Sequence, residues 1–158
     1  MNGKEIALNT IQRLEREAQA SKKKVCFISF NPTPASESFI TAKTRVAKRL
    51  GIEVVLRDEP GLSTEEAIKR IGEVAKEGFD GIVVQLPLRG DMDTVAVLNS
   101  IPTELDIDLL GEESKLAYKE GKTDRVPPVA GAIEEIFKAH NVSLEEKRIV
   151  ILGKGRLV

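Results

Sequence analysis

Three stretches of the sequence contain polar residues whose type and position could support chemistry. In the helix predicted over residues 39–50, Lys43 lies about 40° from Phe39, inside the apolar stripe that Phe39, Val46 and Leu50 form. Such a lysine either sits at the rim of the core, with its amine reaching water, or is held in a cleft, where a desolvated amine can do acid–base work. From this helix alone, the rim position is favoured by about two to one.

Gln85 is a polar residue near the C-terminal end of the apolar stretch GIVVQLPL. Burial of an amide without a partner is costly, and ligands bind at this end of the strands in open parallel sheets. A contact with a ligand and a hydrogen bond to the neighbouring loop backbone are equally compatible with this position.

Asp106 and Asp108 flank Ile107 in the stretch ELDIDLLG. In an extended segment both carboxylates would point the same way, and the pair could bind a metal, a polar ring edge or a lysine. For an isolated Asp-x-Asp, an ordinary solvated loop is the better-supported explanation.

The elements that must position these residues alternate between helices and strands. The predicted helices cover residues 3–20, 39–50, 63–77, 94–100 and 131–140, and the predicted strands cover 25–30, 52–56, 81–86 and 149–152. Because the strands are mostly continuous apolar runs, we expect an α/β fold with an open, mostly parallel sheet and helices on both faces, in three layers. Residues 31–38 are predicted to form a loop, and residues 102–128 a long connection.

The composition narrows the class of protein. Lys and Arg number 24 against 25 Asp and Glu, so there is no basic excess for binding nucleic acid. No run approaches the roughly 20 apolar residues of a membrane span, and the charged N-terminal segment does not resemble a signal peptide. Cys26 is the only cysteine and His140 the only histidine, so neither an internal disulfide nor a structural zinc site is expected. These features predict a soluble, cytoplasmic protein.

Six motifs follow one another along the chain: TPAS at 33–36, Phe39 with Lys43, QLPLR at 85–89, LDIDL at 105–109, the segment 126–131 with Gly131, and ILGKGRLV at 151–158. In order and spacing they resemble D-P-A-S, Y-x-x-x-K, Q-L-P-L-P, K-D-V-D-G, P-x-T-P-x-G and V-I-G-R-S-x-x-V. These are motifs of the bifunctional methylenetetrahydrofolate dehydrogenase/methenyltetrahydrofolate cyclohydrolase family.

The resemblance implies roles for individual residues. It implies that Lys43 sits over the reactive one-carbon bridge of a folate and serves the cyclohydrolase step, that Gln85 tunes this lysine, and that Asp108 binds the pterin ring. Phe39 would stack on the folate in place of the family's tyrosine. Further substrate contacts are expected from Ser36, Leu86, Pro87 and Asp106.

The resemblance also implies a reaction and a cofactor. NADP would oxidise 5,10-methylenetetrahydrofolate to 5,10-methenyltetrahydrofolate, which water would then convert to 10-formyltetrahydrofolate, and the full-length enzyme would be a homodimer. Residues 1–125 would form the folate-binding catalytic domain. Residues 126–158 would form a linker helix and the first strand of an incomplete Rossmann domain, with Gly153, Lys154 and Gly155 in its phosphate-binding turn. This chain by itself is therefore expected to lack dehydrogenase activity.

Several positions depart from the family pattern and leave alternatives open. Phe39 lacks the tyrosine hydroxyl, Thr33 replaces an aspartate, Arg89 replaces a proline, and Leu105 and Leu109 replace a lysine and a glycine. The main alternative is a non-enzymatic α/β module, either one that binds folate without turnover or an interaction domain. A receiver-type regulatory domain is disfavoured, because the first strand leads into asparagine and proline rather than acidic residues.

Overall fold

The computed structural model describes residues 2–18 and 22–153, and within those ranges it contains six helices and three strands. In chain order these are α1 Gly3–Ala18, β1 Lys24–Ser29, α2 Pro34–Arg49, β2 Glu53–Asp58, α3 Thr64–Val74, β3 Gly81–Val84, α4 Thr94–Asn99, α5 Glu112–Lys119 and α6 Pro128–Ala139. The predicted alternation of helices and strands is confirmed over residues 3–100.

The three strands form one parallel sheet in the order β2-β1-β3. Cys26 in the central strand β1 pairs with Val55 of β2 on one side and with Ile82 of β3 on the other. Each crossover between parallel strands passes through a helix, as such connections require. The predicted parallel sheet is therefore confirmed.

Both faces of the sheet are covered, because alternate residues of β1 pack into two separate apolar clusters. Cys26 and Ile28 face the larger cluster, to which α3 and α4 contribute residues such as Ile71 and Leu98. Val25 and Phe27 face the smaller cluster, which includes Ile40 of α2. A strand buried on both faces reads as a continuous apolar run, which explains the sequence of β1.

Helix α2 begins five residues earlier than the sequence predicts. Thr33 is its N-cap, with its hydroxyl accepting a hydrogen bond from the Ser36 amide, and Pro34 occupies the first turn. The prolines of residues 31–38 suggest a loop, but proline is well tolerated at the first helical position because the missing N–H would have no helical partner there.

Helix α5 lies inside the stretch predicted as a long connection, so that prediction is wrong over residues 112–119. The helix has no side-chain cap of its own at Gly111. Instead, Asp106 Oδ2 accepts a hydrogen bond from the Gly111 amide at 2.8 Å, and Asn99 Oδ1 accepts one from the Glu112 amide at 2.9 Å. Capping groups five and thirteen residues away leave no local start signal in the sequence.

The strand predicted over Ile149–Leu152 is not present, and the side chains of this segment are 58–94% exposed. A strand requires a neighbour for its backbone groups, and no described strand pairs with these residues. The preceding helix α6 contacts α1, where Glu135 accepts hydrogen bonds from Thr10 and Arg13. Across residues 2–18 and 22–153, no helix is both long and apolar enough to cross a membrane.

Candidate active site beside the parallel sheet

Lys43 and Asp108 form an ion pair beside the sheet face that contains Phe27. Lys43 Nζ lies 3.2 Å from Asp108 Oδ2 and 5.9 Å from the centre of the Phe27 ring. The Lys43 side chain is 39% exposed and that of Asp108 is 21% exposed. The lysine therefore stands at the rim of the core, but with a fixed partner. An ion pair this open contributes at most about 1 kcal/mol to stability, so its main effect is to orient the amine.

The apolar stripe predicted on α2 is displaced from its predicted centre. The buried residues of the helix are Ser36, Ile40 and Ala47, a face centred about 80° from Phe39. Phe39 itself is 64% exposed, so it does not lie on the buried face of α2, although helical spacing places it in the apolar stripe. It lies one helical turn before Lys43, and side chains four residues apart are neighbours on a helix surface. An exposed aromatic ring thus adjoins the amine.

Gln85 follows the last residue of β3 and is 8% exposed. Its amide Nε2 donates a hydrogen bond to the Leu86 carbonyl at 2.6 Å, as a glutamine satisfied by local backbone would. However, its Oε1 atom is buried and has no hydrogen-bond partner among the described residues. Within that part of the chain, the side-chain amide of Gln85 therefore has a partner for its nitrogen but not for its oxygen, and this free acceptor lies at the carboxyl end of β3.

The two aspartates do not point the same way, so that expectation is wrong. Residues 107 and 108 form a turn rather than an extended segment, and the alternation of an extended chain does not apply. Asp106 is fully buried and accepts the hydrogen bond from Gly111 that caps α5. Asp108 alone reaches Lys43. The structure joins Lys43 to Asp108, and it brings neither Asp106 nor Gln85 into a hydrogen bond with this pair.

The turn that contains Asp108 is hydrogen-bonded to the edge strand β3. The Ile82 amide donates a hydrogen bond to the Leu105 carbonyl at 2.7 Å. Ile107 lies directly over Gly81, where an added Cβ would come within 2.5 Å of its Cγ2 atom. Leu109 has a left-handed backbone with φ 54° while its side chain is 3% exposed. This is the position where the family motif has glycine, which adopts such a backbone without strain.

The other predicted contact residues occupy different settings. Ser36 is 2% exposed, and its hydroxyl accepts a hydrogen bond from the Thr33 amide at 2.8 Å, so it completes the cap of α2. Leu86 is half-buried and Pro87 is exposed, and both follow Gln85 at the carboxyl end of β3. Gly153 is exposed with φ 127°, whereas Lys154 and Gly155 lie outside the described residues.

Two residues near the site carry no local signal that singles them out in the sequence. Phe27 lies under the Lys43 amine but resembles any apolar strand residue. Arg125 donates hydrogen bonds to the carbonyls of Thr103 and Glu104, just before the turn of Asp108, from a stretch without periodicity. The described part of the chain contains no group of three or more His, Cys, Asp or Glu side chains that could hold a metal ion.

The fold and the site together define an α/β domain with an open parallel sheet and a lysine–carboxylate pair beside an exposed aromatic ring. The chain belongs to the tetrahydrofolate dehydrogenase/cyclohydrolase family, whose catalytic domain matches residues 1–108.

Relatives and solved structures agree with this assignment. The chain is 30% identical over 166 residues to the bifunctional protein FolD of Streptococcus thermophilus, and 26% identical over 167 residues to that of Mycoplasmopsis synoviae. It covers 58% and 60% of these proteins, and all of its own length is matched. The crystal structure of the bifunctional FolD enzyme from Campylobacter jejuni superimposes with a TM-score of 0.89 at 21% identity, covering 99% of this chain and 58% of that one. The chain therefore spans about three fifths of the length of its relatives.

Proposed function

We propose that this chain supplies the folate-binding and hydrolytic site of an enzyme of one-carbon metabolism. The observation that carries the proposal is the Lys43–Asp108 ion pair, with its amine 3.2 Å from the carboxylate and an exposed phenylalanine one helical turn away. Membership of the family and the names of its bifunctional FolD relatives support the choice of substrate.

In this proposal each residue has a distinct part. The exposed ring of Phe39 offers a face for the aromatic part of a folate. Asp108 contacts Lys43 through Oδ2, and a carboxylate oxygen is a suitable acceptor for the N–H groups of a pterin. The unpaired Oε1 of Gln85 is a second acceptor. Leu86 and Pro87 complete the surface at the end of β3.

The hydrolytic step requires water to add to the methenyl carbon and the carbon–N5 bond to break. The attacking water loses both of its protons as its oxygen becomes the formyl carbonyl: one proton is released and the other is transferred to N5, which yields 10-formyltetrahydrofolate with net release of one proton. Lys43 Nζ is positioned to move such a proton, because Asp108 orients it and Phe27 lies beneath it. General acid–base assistance of this kind accelerates a reaction by about 10²–10⁴-fold.

For the whole protein, we propose that NADP oxidises 5,10-methylenetetrahydrofolate before this hydrolysis. The related structure from Trypanosoma brucei, which is 24% identical, contains NADP and an inhibitor. Residues 1–125 would form the folate-binding domain, and residues 126–158 would begin the nucleotide-binding part with Gly153 in its phosphate turn. A cytoplasmic homodimer is the proposed state of the full-length protein.

Hydrolysis of 5,10-methenyltetrahydrofolate, followed by the loss of its absorbance, tests the proposal. Lys43→Ala should lower the rate by about 10²-fold or more. Lys48→Ala is the matched control, because Lys48 lies on the same helix with an exposed side chain and should change the rate by less than twofold. Unchanged hydrolysis in Lys43→Ala would refute the assigned role. Folate binding without any turnover by the wild type would favour a non-enzymatic binding module.

A further inference from the structure

Arg125 lies seventeen residues beyond Asp108 and makes side-chain contacts that local sequence patterns do not account for. Its Nη1 donates to the Thr103 carbonyl at 2.7 Å, and its Nη2 donates to the Glu104 carbonyl. Its backbone amide also donates to Thr123 Oγ1 at 3.2 Å. The guanidinium thus joins the segment that leads into α6 to the segment that leads into the turn of Asp108.

The geometry of the accepting carbonyls explains why a guanidinium fits there. Residues 102–106 form a single helical turn, in which the amides of Leu105 and Asp106 both donate to the Pro102 carbonyl. The carbonyls of Thr103 and Glu104 come next, at the C-terminal end of this turn, where carbonyl groups lack helical partners and favour a cation. The planar fork of arginine can reach two neighbouring acceptors at once, which the single amine of lysine does less well.

These two hydrogen bonds, the Arg125 clamp, lie at Thr103 and Glu104, immediately before two other anchors of the Asp108 turn. At the first of these, the Leu105 carbonyl accepts a hydrogen bond from the amide of Ile82 in β3. At the second, the Asp106 carboxylate accepts a hydrogen bond from the Gly111 amide. Both of these anchors join residues within the segment 81–111, whereas the Arg125 clamp ties the turn to the segment before α6.

We propose that Arg125 is a positioning residue that holds the Asp108 turn in register with Lys43, and so sets the affinity of the site for folates. The proposal rests on the function proposed above. Loss of the two guanidinium hydrogen bonds would let residues 103–108 shift relative to α2. A displacement near 1 Å at a binding or reacting group costs up to about 10²-fold, so we expect Arg125→Ala to weaken tetrahydrofolate binding about tenfold.

Calorimetric titration of the full 158-residue chain with tetrahydrofolate, in a double-mutant cycle, tests whether Arg125 acts through Asp108. Arg125→Ala should weaken binding about tenfold in the wild-type background and less than twofold in the Asp108→Asn background. Arg125→Lys should recover only part of the loss. Lys122 also lies between α5 and α6, where its amine pairs with Glu120. Lys122→Ala therefore removes a cation from the same segment and should leave tetrahydrofolate binding unchanged. Equal losses in both backgrounds, or no loss, would overturn the proposal.

Amide hydrogen exchange provides a second readout that needs no ligand. Arg125→Ala should accelerate exchange at Leu105, Asp106 and Ile82 by at least severalfold and leave α3 unchanged. Unchanged exchange at these three amides would overturn the clamp even if the wild type binds folate. A wild type that binds no folate would instead refute the proposed function, and with it the role in affinity.

Discussion

Leu109 provides a sharp test of the turn that carries Asp108, because its backbone is left-handed while its side chain is buried. Replacement by alanine and replacement by glycine both remove the buried side chain, and such truncations cost about 2–5 kcal/mol. The two variants differ in the Cβ atom that alanine keeps. At φ 54° a Cβ costs about 1–2 kcal/mol, whereas the extra freedom of glycine in the unfolded chain costs about 0.5–1 kcal/mol.

Leu109→Gly should therefore be more stable than Leu109→Ala by about 0.5–1 kcal/mol. Leu98 is the matched control, because it is also a buried leucine but lies within helix α4. There the usual order should hold, with Leu98→Ala more stable than Leu98→Gly by about 1 kcal/mol. The assay is urea unfolding followed by far-ultraviolet circular dichroism, with unchanged slopes among the four variants. If Leu109→Ala is as stable as Leu109→Gly, residue 109 does not have the left-handed backbone conformation described above.

Four further outcomes follow from the structure. Asp106→Ala should cost about 2–3 kcal/mol in urea unfolding, because it leaves the Gly111 amide without its acceptor, while Asp106→Asn should cost less than about 1 kcal/mol. Gly81→Ala should destabilise the chain by about 1–3 kcal/mol and weaken folate binding, since the new methyl group would displace Ile107. Burial raises the pKa of the Cys26 thiol from 9.0 to about 11. The native state therefore keeps a proton that the unfolded chain loses, and stability should fall by about 2–3 kcal/mol between pH 9 and 11, a component that Cys26→Ala should lack. The hydrogen bond from Lys23 holds the pKa of Asp80 below its ordinary 3.8. The ionised form thus stabilises the native state above that pH, and Asp80→Asn should reduce the loss of stability on acidification.

The sheet could be predicted from the sequence because its signals are local. The apolar runs of β1 and β3 are buried on both faces, and helices with their own cap or stop residues separate the strands. The early start of α2 was also encoded locally, in the hydroxyl of Thr33 followed by proline, but the two prolines of the segment favoured a loop.

Other features depend on partners that are distant in the sequence. Helix α5 is capped by Asp106 and Asn99 rather than by its own first residues, and so its start could not be found from a window of sequence. Ile149–Leu152 has the composition of a strand, but strand formation depends on a neighbouring strand and not on composition alone. The orientation of Asp106 likewise depends on the turn at residues 107–108.

The candidate site was only partly accessible to sequence reasoning. Helical spacing placed Lys43 close to the buried face of α2, and its ion pair with Asp108 could be anticipated only as one of three possible partners for an aspartate pair. Helical spacing alone assigns Phe39 to the core, because an aromatic residue in an apolar stripe is normally buried, whereas the family resemblance, with its stacking role, implies an accessible ring. A ligand-binding role for the exposed ring remains a prediction.

An NMR titration of the isotope-labelled chain with tetrahydrofolate tests the proposed location of the folate site. Saturable shifts should be largest at the amides of Phe39, Lys43, Gln85, Leu86 and Asp108. The amides at the contact between α1 and α6, such as Thr10 and Glu135, should not shift. Shifts centred on that contact, or no shifts at saturating tetrahydrofolate, would contradict the proposed location.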